Sequence, residues 1–232
     1  MRKILLLLIL FFSCFSAFGQ KNHKTFYDNG NLQEQGQFDE NGKQIGEWKY
    51  YYENGKIERI EIFNEYKLSS KSYWDNGKLQ SFTSSENGEL FGEAKKYYSN
   101  GKLWSTEIYE KGNRIGTWKQ YHSNGKLAGV ENYKNGERTG KWIYYHANGK
   151  KSITATYENG ETVGETKWYR DNGKLDRSEK FQYEKSGNIT GEEKTYHLNG
   201  KLEQIGSYKN GEPSGEWKYY DENGKLIKTE NY

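Results

Sequence analysis

Three histidines, His122, His146 and His197, each stand three residues before the glycine of an Asn-Gly pair. Imidazoles repeated at one position are a candidate metal site, since neutral imidazole is among the commonest metal ligands. Zinc needs its ring nitrogens within about 2 Å. If each copy of the motif is one two-stranded unit, equivalent side chains stand about 9–10 Å apart, at roughly 4.8 Å per strand. His122 and His146 then cannot share an ion without long reach, and His197 lies two units further on. These histidines are read as exposed strand residues, and no metal is expected.

Carboxylates recur six residues after the same glycine, at Glu61, Glu107, Glu131, Glu179 and Glu230. Lysines recur three residues after a second, unit-opening glycine, at Lys49, Lys95, Lys119, Lys167, Lys194 and Lys218. Two carboxyl groups about 5–10 Å apart are the machinery of glycoside hydrolysis. A catalytic pair is unique, whereas these residues recur with the motif. Cross-strand ion pairs on a solvated face are the better reading, each worth about 0.2–1 kcal/mol. Serines such as Ser123 sit in turn sequences and lack a nucleophile's strand-turn-helix context. The glycine pairs open no helix that would hold a phosphate. No catalytic residue and no cofactor is expected. Trp48, Trp118, Trp142 and Trp217 share one position, as a buried row or as a platform for sugars or lipid headgroups. The buried reading is favoured, because a thin sheet has little else to bury.

The elements that would carry these side chains follow from the Asn-Gly pairs. Gly30, Gly55, Gly77, Gly101, Gly125, Gly149, Gly173, Gly200 and Gly224 each follow asparagine, at intervals of 25, 22, 24, 24, 24, 24, 27 and 24 residues. So regular a period is the signature of a repeat architecture. The two halves of a unit, around Trp118 and Tyr121 and around Leu127 and Tyr133, are too short for useful helices and rich in strand formers. Asn-Gly between short aromatic runs is the strongest local hairpin signal, because both residues tolerate positive φ. The prediction is an all-β chain of about nine tandem β-hairpins. Asn124-Gly125 closes one hairpin, and Asn135-Gly136 turns the chain into the next. A two-residue turn and a three-residue turn with a glycine bulge both fit Asn124-Gly125, and the choice sets the register. Tyr-Tyr doublets at 51–52, 97–98, 144–145 and 219–220 put aromatic rings on both faces. A lone unit buries too little to fold, so stability is expected to grow with copy number.

Two of the three spacings are constant. From the unit-opening glycine to the Asn-Gly glycine is nine residues, as from 46 to 55 and from 116 to 125. The next aromatic, such as Tyr133, follows eight residues later, a series that only Ser85 breaks. The remaining connection runs 8, 5, 7, 7, 7, 7, 10 and 7 residues, so all length variation falls on one edge. Variable loops along an edge are where repeat proteins often bind. The longest connection holds Tyr183, Glu184, Lys185 and Asn188, the residues expected to meet a partner.

The first residues concern the compartment. Arg2 and Lys3 precede an apolar run from Ile4 to Phe12, and Ala17-Phe18-Gly19 precedes Gln20. This is the layout of a secretory signal peptide, with residues 1–19 removed between Gly19 and Gln20. The run falls short of the ~20 apolar residues of a membrane span. Residues 20–232 are then a single repeat domain, exported to the periplasm, the outer surface or the medium. Cys14 is the only cysteine, so the mature chain has no disulfide and no thiolate ligand. Of 35 basic residues, Arg2 and Lys3 leave with the signal, and the remaining 33 nearly balance 32 acidic ones. A nucleic-acid binder would show a basic face instead.

The segment Tyr121-x-x-Asn124-Gly125-Lys126-Leu127, followed by Tyr133-x-Asn135-Gly136-x-x-x-Gly140-x-Trp142-x-x-Tyr145, resembles the bacterial variant of the MORN repeat. The resemblance runs from about residue 25 to 232, with degenerate copies at 64–92 and 181–191. Chains made only of such units resemble the YwqK-type antitoxin family. The resemblance implies hairpins in an elongated, twisted antiparallel sheet, contact with a protein or a membrane surface, and no catalysis. Gly-x-Trp-Lys is also similar to choline-binding repeats, although Leu or Ile follows Asn-Gly-Lys here where those carry Trp-Tyr. The expected role is an exported, non-enzymatic scaffold that binds a protein partner at the cell envelope, antitoxin- or immunity-like in its most specific form. The alternative is a repeat protein that binds cell-wall glycan or a membrane surface.

Overall fold

A computed structural model describes residues 20–183 and 189–232. Among the described residues there is no helix, and 22 strands form one open antiparallel sheet. Four of them, Glu89–Leu90, Asn113–Arg114, Glu137–Arg138 and Glu161–Thr162, are two-residue lead-ins to the longer strands that follow. The others form nine hairpins in tandem, each paired to the next. The expected cleavage at Gly19 lies outside the described residues, as do Glu184, Lys185 and Asn188. Tyr183 ends the strand Leu175–Tyr183, where its backbone faces Ile189.

The fifth hairpin, Gly116–Tyr121 with Leu127–Lys134, shows why Asn-Gly recurs. His122 N donates to Lys126 O at 2.8 Å, and Gly125 N donates to His122 O at 2.7 Å. Gly125 has φ 91°, a conformation that costs glycine little for want of a Cβ. The loop is therefore the three-residue form, a tight turn ending in a left-handed glycine bulge. Asn124 Oδ1 accepts Lys126 N at 2.9 Å and rigidifies it. One strand then gains a residue: Gln120 faces Gly129 and Tyr121 faces Leu127, so Ala128 is unpaired. The same bulge recurs from Gln33 in the first hairpin to Ile227 in the ninth.

Turns between hairpins differ. Asn135 (φ 52°) and Gly136 (φ 85°) form a two-residue turn with both residues left-handed, closed by Lys134 and Glu137. Gly136 N donates to Arg114 O at 2.9 Å, so this turn is tied to the preceding one. Gly112, Gly160 and Gly211 make the same bond to Leu90, Arg138 and Ile189. The edge expected to vary freely is thus itself stapled in its regular part. It departs from the pattern at Asp39–Lys43 and at Glu65-Tyr66.

Candidate functional site

The site begins where each new hairpin begins. Gly140 has φ 62°, and between it and the preceding strand the ladder is broken. Tyr133 faces Arg138, yet Val130 faces Ile143, so five steps on one strand match three on the other. A bulge of this kind leaves backbone groups without ladder partners. Here the indole supplies one: Trp142 Nε1 donates to Asn132 O at 3.1 Å. Trp48, Trp118 and Trp217 do the same to Gln37, Ile108 and Ser207 at 3.1, 3.2 and 3.2 Å. All four indoles are buried, at 6% exposure or less. Where the ladder runs through unbroken, at Phe63 facing Leu68 and Phe181 facing Gly191, the tryptophan position holds Ser70 and Glu193.

Rings continue between the indoles. Tyr109, Trp118, Tyr133, Trp142 and Tyr157 form a chain with centroids 5.1, 5.0, 5.2 and 4.9 Å apart. The Arg114 guanidinium lies 4.9 Å from the Trp118 ring, and that of Arg138 lies 5.1 Å from Trp142. Rings lie on both faces, as expected, but unequally. Tyr51, beyond Lys49 on one strand, is on the opposite side, where its hydroxyl accepts Gln35 Nε2 at 2.8 Å.

The recurrent carboxylates belong to the indole face, which corrects their expected place. Glu131 faces Trp118 across the hairpin and is 6% exposed; Glu107 is 7% exposed. Glu131 accepts Tyr133 OH at 2.8 Å, Tyr144 OH at 2.7 Å and Gln120 Nε2 at 3.0 Å. Glu107 accepts Ser105 Oγ and Tyr109 OH, both at 2.9 Å, and pairs with Lys96 at 3.0 Å. Lys119 faces Val130, so the repeated lysines and Glu131 point to opposite faces and cannot pair. The lysines bond along their own strands instead, as in Lys49–Glu47 at 2.7 Å and Lys218–Glu216 at 2.6 Å. Burial, then the bond to Glu107, pushes the Tyr109 hydroxyl up to about 12. Tyr133 and Tyr144 are raised likewise, by burial first and Glu131 second. Burial also raises Glu179, against the opposing pull of Arg177.

The histidines are not exposed strand residues. His122, His146 and His197 sit half-buried where the Asn-Gly loops begin. Each Nε2 meets a backbone carbonyl of the next hairpin, Tyr145, Tyr169 or Tyr220, at 2.8, 2.7 and 2.7 Å. A carbonyl only accepts, so Nε2 carries the proton. Tyr27, Tyr52 and Tyr98 place a hydroxyl there at 2.6, 2.7 and 2.7 Å, and Trp74 an indole N–H at 3.2 Å. Two further staples come from the motif itself. Asn124 Nδ2 donates to Ala147 O at 2.9 Å, and Lys126 Nζ donates to Asn148 O at 3.0 Å. Sequence reasoning missed this stack, although its signal was legible: nearly every residue at that position is a side-chain donor. Among the described residues, no group of three or more His, Cys, Asp or Glu gathers to hold a metal.

The stapled turn and the bulge-filling indole define one repeated unit. The pattern of the MORN repeat variant matches residues 21–40, 44–65, 92–111, 114–135, 138–159, 189–210 and 213–232, together more than half of the chain. The chain belongs to the MORN repeat variant family. The stretches between matches, 66–91 and 160–188, hold Ser70 and Thr166 at the tryptophan position. No curated protein matches the MORN chain in sequence. Among solved structures it is similar to a crystal structure of TcdB2-TccC3-Cdc42, at 11% identity and a TM-score of 0.24 over 87% of this chain and 15% of that one. A Photorhabdus luminescens Tc holotoxin pore is similar at 12% identity and a TM-score of 0.23, over 88% of this chain and 14% of that one. The MORN chain thus spans about one-seventh of the length of these structures.

Proposed function

We propose that the chain is an exported, non-enzymatic scaffold that binds a protein partner at the cell envelope, immunity-like in the manner of the antitoxin family it resembles. The observation that carries this reading is the use made of its polar side chains. Turn histidines, turn asparagines and the buried Glu131 each hold one hairpin to the next, and the buried Glu107 ties together the strands of its own. That supports a rigid presenting surface in preference to a reacting centre. Partner contact is assigned to the face of along-strand ion pairs, Lys49–Glu47 and its repeats, and to the connection that is longest in the sequence, with Tyr183, Glu184, Lys185 and Asn188. Export is supported by the charged, then apolar, then small-residue order of residues 1–19.

The test is fractionation with terminal mass spectrometry, then co-purification from envelope extract. The chain is expected outside the cytoplasm, beginning at Gln20, with one partner enriched. Shortening the 183–190 connection to the usual length is expected to release that partner and leave the fold intact. A cytosolic chain that retains Met1 overturns the export reading.

A further inference from the structure

The indole row is interrupted over the third and fourth hairpins, Lys67–Tyr73 with Leu79–Glu86 and Gly92–Tyr97 with Leu103–Glu110. Its position there holds Ser70 and Ala94, and the paired strands add Ser72, Ser81 and Thr83 on the same side. Two tryptophans appear instead nearer the Asn-Gly edge of these same hairpins. Trp74 takes the turn position held elsewhere by Tyr52, Tyr98 or His122, and its Nε1 bond to Tyr97 O fixes the ring. Trp104 is the bulged extra residue of the fourth hairpin, a position that is polar or aliphatic in every other unit. It is 46% exposed, with its ring 6.0 Å from that of Tyr98.

An open recess of about 320 Å³ lies here, lined by Trp74, Gln80, Ser81, Lys96, Tyr97 and Trp104. Lys96 is its one charged lining residue, with Nζ 5.8 Å from the Trp104 ring. That ammonium is already paired with Glu107 at 3.0 Å, so the recess offers no free charge to an anion. It offers two indoles, that of Trp74 held by the turn stack and that of Trp104 half-exposed, beside an amide, a hydroxyl and an ammonium. A matching ligand has an apolar C–H face to lie on an indole and several hydroxyls around its rim. A pyranose ring meets both demands at once. A half-exposed tryptophan adds little to a core, which leaves Trp104 without a packing role that would account for it.

We propose that this recess binds a neutral pyranose ring of an oligosaccharide. The inference goes beyond the protein-partner reading and stands without it. The full chain is titrated with maltohexaose, cellohexaose, laminarihexaose and chitohexaose, and binding is read by calorimetry and by tryptophan fluorescence. At least one hexasaccharide is expected to bind, and Trp104→Ala is expected to weaken that binding at least about tenfold. Trp74→His is expected to weaken it as well. Both substitutions install residues that the repeat already holds at these positions, Ala128 and His122, so the melting temperature is expected to hold. If Trp74→His lowers it, Trp104→Ala alone decides. The proposal is overturned if none of the four binds, or if affinity survives Trp104→Ala. It is equally overturned if these tryptophans prove to capture a protein while no saccharide binds.

Discussion

His122 Nε2 lies 2.8 Å from the carbonyl oxygen of Tyr145, 23 residues further along the chain. The same contact recurs along the Asn-Gly edge with Tyr, Trp, His or Arg as donor. His122→Ala leaves a half-buried carbonyl without its donor and is expected to cost about 1–2 kcal/mol. His122→Tyr, which copies Tyr98, is expected to retain most of that. Urea unfolding reads both as midpoint shifts at constant slope.

The tyrosine hydroxyls predict an alkaline limit. Tyr109 is raised from 10.0 to about 12, so its neutral form is favoured in the folded chain. Its contribution is complete below the unfolded value and is lost as pH climbs through the folded one. Stability is expected to fall between pH 10 and pH 12, and Tyr109→Phe is expected to flatten that fall. Denaturant midpoints across the range decide it.

Glycine at two junctions is predicted to be irreplaceable. A Cβ on Gly206 would fall inside the Trp217 ring, as one on Gly36 would inside Trp48. Gly206→Ala must tilt the indole away and weaken its bond to Ser207 O, for an expected cost of about 1–3 kcal/mol. Gly129→Ala meets the Tyr144 ring at 2.9 Å and is expected to cost less. Thermal melts of the two variants rank them; equal losses would count against the indole explanation.

Removing the last hairpin, Glu212–Tyr220 with Leu226–Asn231, takes away Tyr220 O, Glu222 O and Asn223 O. These carbonyls receive His197, Asn199 and Lys201. The melting temperature is expected to drop, since each unit leans on its neighbours. In the ninth turn, Asp221 folds back instead to accept Asn223 N and Lys225 N at 2.9 and 2.8 Å. His197→Asp in the shortened chain is therefore expected to recover part of the loss, as calorimetry would show.

The Asn124 loop predicts a register effect. Its three residues end in a left-handed glycine, and the bulge at Ala128 follows at once. Deleting Asn124 shifts the pairing by one residue and turns Trp118 away from its carbonyl. The variant is expected to lose cooperative unfolding, whereas shortening the 183–190 connection is expected to preserve it.

Local chemistry by itself determined the repeat, the hairpins and their number. Asn-Gly is a backbone signal that needs no neighbour to act, and aromatic runs beside it are strands in any context. The same locality made the wrong pairs look natural. Glu131 and Lys119 recur in phase, but a strand alternates its side chains, and only the pairing of Lys119 with Val130 sends them to opposite faces. His122 looked exposed because its acceptor belongs to another hairpin, 23 residues away. Only the tertiary structure decided that a broken ladder can admit an indole, as it does at Trp48, Trp118, Trp142 and Trp217, because the vacant carbonyl and the Nε1 that fills it lie on different strands. It alone brought Trp74 and Trp104 to one recess, since nothing in a spacing of 30 residues says that two units that depart from the pattern depart toward each other.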